Sequence, residues 1–200
     1  MPARRSLTRD AVVRAAAELL DAAPGREPTL GALAARLGVR APSLYNHVDG
    51  QAGLRRELAL LGLRELRERL AHIAIGKAGD AALLAIGGAY RAFARERPGL
   101  YPATLRAVGP GETALAEAGA EIIDVLRIVL EPYGLTEEET LHAIRGLRGV
   151  VHGFVSLELA GGFGIPLDLD ESFDRLLRTF IAGVPGYAAA RPAAAPAAAR

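Results

Sequence analysis

Apolar residues recur along this chain at spacings of three and four, in runs separated by short stretches rich in Gly and Pro. That period places the apolar positions on one helical face, and it predicts an all-α chain of about nine helices. Thr8 is placed to cap the first, which runs to about Ala23 and carries Val12, Ala16, Leu19, Leu20 and Ala23 on its inner stripe; Pro24-Gly25 stops it. Arg26 to Pro28 form a link, and Thr29 caps a second helix in which Leu30, Leu33, Ala34 and Leu37 share a face. Gly38 ends that helix, because glycine enters the left-handed region without a steric penalty. A third helix is expected from about Ala41 to His47, with Pro42 tolerated in its first turn. Leu44 and Val48 face inward, which leaves Arg40, Ser43, Tyr45, Asn46 and His47 on the other side.

Asp49 is placed to cap a long fourth helix, from about Gly50 to Ile75, with Leu54, Leu58, Leu61 and Leu66 inward. A fifth spans Asp80 to Arg97, a sixth Leu100 to Val108, and a seventh Glu112 to Glu131. Thr136 and Glu139 have the spacing of a capping box and open an eighth helix, which ends near Leu159. Gly146, Gly149 and Gly153 lie inside it, each at a cost of about 1 kcal/mol against Ala. Close approach by a neighbouring helix would offset that cost. The ninth, Asp170 to Val184, puts Phe173, Leu176, Leu177, Phe180, Ile181 and Val184 on one stripe. Two such helices from each of two subunits would build a four-helix bundle; packing of the same stripes within one chain is the alternative.

Composition narrows the picture. Half the residues are apolar, 5% are aromatic and there is no Trp, so the core must be built from Leu, Ile, Val and Ala. The absence of Cys excludes disulfides, thiolate metal sites and a Cys nucleophile, and suits a reducing cytosol. No run reaches the roughly 18 apolar residues of a membrane span, and no apolar segment follows the basic N-terminus, so a cytoplasmic protein is expected. Net charge is +1 overall. Through His72, however, twelve Arg face eight acids, an excess of four, while the remainder carries twelve bases against fifteen acids. A mildly basic N-terminal part suits a polyanionic partner.

Two short helices, a tight Gly-containing turn and a polar outer face on the second describe a helix-turn-helix. Arg40, Ser43 and Asn46 are the residue types that match base edges in the major groove, and Thr29, Tyr45 and His47 those that meet phosphates. On periodicity alone the same stretch reads equally as a helical hairpin with a wet surface.

Residues Leu7 to about Leu63 resemble the DNA-binding domain of the tetracycline-repressor (TetR) family. The resemblance rests on Leu30, Leu33 and Ala34, on Gly38-Val39, and on Leu44-Tyr45-Asn46-His47-Val48. It implies that the start of the next helix also touches a phosphate; many members have Lys there, and this chain offers Gln51, with Arg55 or Arg56 as possible substitutes. From about His142 to Val184 the chain resembles the ligand domain of a subgroup named for a Trp-His-Gly motif, written here Val151-His152-Gly153. The resemblances imply an N-terminal arm and head over residues 1–50, with a core reaching about residue 63. A connecting helix follows at 51–75, then a ligand-binding and dimerisation domain at 80–184; the Ala/Pro low complexity of residues 185–200 marks a disordered tail.

Apolar pockets use few polar groups. Tyr90, Phe93, Tyr101, Leu105 and Leu126 are candidate walls, and Arg148 and His152 the candidate polar contacts. Each also reads as ordinary core, interface or surface. Catalytic signatures are missing: there is no phosphate-binding Gly loop, no H-E-x-x-H and no G-x-S-x-G. Neither a cofactor nor a metal is called for. The expected function is a homodimeric, sequence-specific transcriptional regulator, a repressor released from a palindromic operator by a small apolar effector. An all-α enzyme, or a helical partner-binding protein without DNA affinity, is the alternative.

Overall fold

A computed structural model describes residues 7–189. The described residues form nine α-helices and two 3-10 helices, with no strand, so the all-α class read from the apolar period is the class adopted. The chain divides into two compact units, one of residues 7–71 with 92–122 and one of residues 72–91 with 123–189.

In the first unit, α1 (Arg9–Ala22), α2 (Leu30–Leu37) and a 3-10 helix (Ala41–Asn46) are followed by the long α3 (Gly50–Ala74). The two threonine caps form as the sequence predicts: Thr8 Oγ1 accepts from the Ala11 N–H (3.2 Å) and Thr29 Oγ1 from the Ala32 N–H (3.1 Å). Gly38 takes φ +65° at the end of α2, and the Val39 N–H returns to the Ala34 carbonyl at 3.0 Å. Val12, Ala16, Leu33, Leu44 and Leu54 are fully buried. The apolar faces of three short elements and of α3 thus close one core.

Three local expectations need correction here. The third helix is 3-10 rather than α: Ser43 N–H bonds Arg40 O (2.9 Å) and His47 N–H bonds Leu44 O (2.9 Å), both three residues back. With only a few residues available, the tighter three-residue turn wins. Asp49 does not cap α3 with its side chain, which is 97% exposed; its backbone carbonyl accepts the Gly53 N–H instead (2.8 Å). The sixth helix is a single turn, α5 (Leu100–Ala103), because Thr104 folds back and donates its hydroxyl to the Tyr101 carbonyl (2.7 Å).

Residues of α4 (Gly79–Glu96) and α6 (Thr113–Leu130) are divided between the two units, and the last three of α3 fall in the second. The second unit is completed by α7 (Glu137–Leu159), α8 (Leu169–Gly183) and a short α9 (Gly186–Ala189). That last turn falls within the stretch expected to be tail; residues 190–200 and the basic arm, with Arg4 and Arg5, lie outside the described residues. The capping box at α7 is complete: the Thr136 N–H donates to Glu139 (2.7 Å) and the Glu139 N–H to the Thr136 hydroxyl (3.3 Å). Thr136→Ala should lower stability by about 1 kcal/mol, read as a shift in the urea midpoint with an unchanged m-value.

Of the three glycines inside α7, only Gly146 is closely covered by other described residues. A Cβ there would meet the Phe180 ring at 2.8 Å, whereas Gly149 and Gly153 have nothing within 4 Å. Arg91 is 7% exposed. Its guanidinium donates twice to Glu158 (2.8 and 2.7 Å), pairs with Asp170 (2.8 Å) and lies over the rings of Phe154 and Phe173. This pairing makes burial of a full charge tolerable.

Candidate nucleic-acid interface

The 3-10 helix changes how the outer residues align. At three residues per turn, side chains three apart eclipse one another, so Arg40, Ser43 and Asn46 form a single column. Arg40 and Asn46 are exposed and Ser43 is half-buried. Leu44 (0% exposed) and Val48 (4%) anchor the opposite side, while Tyr45 projects with 62% of its surface free. His47 is half-buried at the C-terminal end. Thr29 is exposed, and its oxygen accepts the Ala32 N–H; the hydroxyl proton stays available to a phosphate oxygen. Donors and acceptors able to read base edges therefore lie in one line, with the exposed Tyr45 hydroxyl on the same short helix.

Gln51 sits differently from what a phosphate anchor requires. Its Nε2 donates to the Pro28 carbonyl at 3.0 Å in a part-buried position. One turn further along α3, the guanidinium of Arg55 pairs with Glu27 (2.8 Å). Together the two side chains hold the α1–α2 link against the start of α3, and so fix where α2 begins. Arg56 lies between Asp49 (3.9 Å) and Glu112 (4.0 Å). Both substitutes expected for the missing Lys are thus engaged with carboxylates.

The far end of this unit is held by a charge cluster that local sequence pattern does not reveal. Asp21, at the end of α1, accepts from the Gly99 N–H (3.0 Å) and the Leu100 N–H (2.9 Å) with one oxygen and from Arg97 Nε (2.6 Å) with the other. Arg97 also donates to Glu65 of α3. The partners are separated by 32 to 79 residues, so no spacing rule finds them. In the loop before α6, the Glu112 carboxylate takes the Arg106 guanidinium (2.9 Å) and the Gly109 N–H (2.7 Å). Those two donors, Arg106 first, hold its carboxyl below the ordinary value. Because the folded form has the lower value, this tether is complete at neutral pH and is lost as pH falls through the depressed value. The protection factor of the Gly109 amide should therefore stay constant near neutrality and fall in acid.

The residues expected to line a ligand pocket are divided between the two units. Phe93 (0% exposed), Tyr101 (2%) and the half-buried Leu105 are in the first; Tyr90 (9%) and Leu126 (6%) are in the second. Arg148 is exposed and His152 half-buried, its Nδ1 lying 3.3 Å from Ser156 Oγ. Arg91, overlooked in the pattern because its partners lie far along the chain, is the most buried cation of the second unit.

Comparison with known proteins matches this architecture. Residues 83–180 match the family described as tetracyclin repressor-like, C-terminal domain. The chain is 36% identical over 184 residues to the HTH-type transcriptional regulator YobS of Bacillus subtilis (strain 168), covering 92% of this chain and 96% of that one. It is 34% identical over 183 residues to the HTH-type regulator Rv0681 of Mycobacterium tuberculosis (strain ATCC 25618 / H37Rv), covering 89% and 82%. A single-residue variant of TetR from Acinetobacter baumannii AYE, crystallised with minocycline, shares the fold at a TM-score of 0.68 and 23% identity over 89% of this chain and 96% of that one. With the helix-turn-helix in place and relatives of this similarity along nearly its whole length, the chain belongs to the TetR family of helix-turn-helix transcriptional regulators.

Proposed function

We propose that this regulator acts as a homodimeric repressor in the cytoplasm, binding a palindromic operator with the Ala41–Asn46 helix of each subunit in a major groove. The observation that carries this reading is the exposed column of Arg40, Ser43 and Asn46 beside Tyr45. Residues 1–50 would form the arm and DNA-binding head, its core reaching about residue 63, and residues 51–75 the connecting helix. Residues 80–184 would bind effector and partner subunit. Thr29, Tyr45 and His47 would take phosphates; Gln51, turned onto Pro28, would do so only through its remaining amide proton.

Dimerisation through α7 and α8 is favoured by what those helices leave open. Gly149 and Gly153 have free space around them, and Leu157 (50% exposed) and Leu176 (37%) stay partly in water. A patch of this kind on a regulator calls for a cover, and small residues let another helix approach closely. Leu176→Glu should convert dimer to monomer in sedimentation and abolish operator binding, since one half-site alone binds weakly. Release by a small apolar molecule would follow if it bound two arrangements of the dimer with different affinity. The related minocycline complex supports a small-molecule ligand. The role proposed for the chain is regulatory rather than enzymatic. Selection of duplexes from a random library, followed by footprinting with and without metabolite pools, tests the whole reading. A protected palindrome is the expected result; no salt-dependent duplex affinity would refute it.

A further inference from the structure

The three-helix head and the start of α3, residues 7–56, carry seven arginines. Five are compensated: Arg9 by Glu57, Arg14 by Asp10, Arg36 by Glu18, Arg55 by Glu27, and Arg56 by Asp49 and Glu112. Exposed pairs of this kind are individually weak, yet the acid stays beside its arginine when a polyanion arrives and offsets the attraction. Among the described residues of this stretch, only Arg26 and Arg40 form no ion pair. Arg40 belongs to the base-reading column. Arg26 has no role in the family resemblance or in the core: it is exposed, in the link between α1 and α2.

That link is held in place. Its turn is closed by the Arg26 N–H on the Ala23 carbonyl (3.0 Å), its end is gripped by Gln51 on Pro28, and its acid, Glu27, is neutralised by Arg55. The free guanidinium therefore projects from a fixed backbone three residues before the Thr29 cap. Arg64, the next unpaired arginine along α3, lies fourteen residues beyond Gly50, about 21 Å along the helix axis. We infer that Arg26 is a DNA-phosphate anchor of this regulator, supplying the contact that Gln51, turned onto Pro28, is poorly placed to make with charge.

This inference rests on the operator-binding reading, and its test separates the two. The full-length protein is titrated with a duplex selected from the random library at a series of salt concentrations. One phosphate contact per subunit adds about 0.9 to the slope of log affinity against log salt, hence about 1.8 for a dimer. Arg26→Gln should flatten the wild-type slope by that amount, weaken binding by a similar factor on every duplex tried, and leave the thermal midpoint unchanged. Arg26→Lys should restore the slope. A salt-dependent wild type with an unchanged slope in Arg26→Gln overturns the assignment of Arg26 alone. A flat wild-type titration overturns the operator-binding reading, and the assignment with it.

Discussion

Asn46→Ala is expected to lower operator affinity by roughly 2–6 kcal/mol across a two-fold dimer, since each bidentate pairing with a base is worth about 1–3 kcal/mol. On a gel this moves the shifted band to protein concentrations about 30-fold to about 20,000-fold higher. Tyr45→Ala should have a comparable effect through a different route. The side chain is 62% exposed, so its removal opens no cavity; what disappears is a rigid ring and a hydroxyl that would meet the DNA backbone in the proposed docking. Neither change touches the core beneath, because Leu44 and Val48 carry the packing of that segment. Both variants should therefore sediment as dimers and melt like the parent. The two also differ from each other. Asn46→Ala should relax sequence preference at the base proposed to face it, whereas Tyr45→Ala should weaken all duplexes alike. Normal gel shifts for both would show that DNA meets some other surface.

The second large effect concerns stability, and it lies far from the DNA. Asp21→Ala should cost about 3 kcal/mol, since hydrogen bonds to a charged group are worth roughly 1.5–3 kcal/mol and three donors lose their acceptor. The cost stays below a simple sum because the Asp21 and Arg97 side chains are 17% and 23% exposed, and water relieves part of the loss. Arg97 would keep Glu65 as a partner, but the Gly99 and Leu100 N–H groups would open α5 without an acceptor. Gly99→Ala should be damaging for a steric reason. A Cβ there would lie within 2.6 Å of the Asp21 backbone nitrogen and nearer still to the Leu20 carbonyl. Backbone cannot rotate away as a flexible side chain can, so a loss of about 3 kcal/mol or more is expected, at the upper end for overpacked sites. Urea unfolding reads both, and a midpoint close to the parent's for either would mean that the α1–α5 contact is dispensable.

Local chemistry carried a long way here. Thr8, Thr29 and Thr136 cap the helices they precede, and Gly38 turns where a left-handed residue is required, because capping and turn formation involve partners only a few residues apart. In α4, Leu83, Ile86, Tyr90 and Phe93 recur at spacings of three and four, and all are buried. Where local rules compete, they mislead. Asp49 has the residue type of a cap, but its carboxylate turns to solvent; Pro42 is compatible with an α-helix, yet the segment closes as 3-10.

By itself, then, the order of residues determined the helical class, most of the helix boundaries and the family, all of which follow from interactions of short range along the chain and from the period of apolar burial. Tertiary structure alone decided which charges are free. Gln51, Arg55 and Arg56 look like phosphate contacts in the sequence, and folding commits them to Pro28, Glu27, Asp49 and Glu112. Arg26 looks like a linker residue, and the same folding leaves it unpaired. The reason is physical: an ion pair depends on distance in space, which falls to a few ångströms between residues 28 or 56 positions apart only after the core has closed.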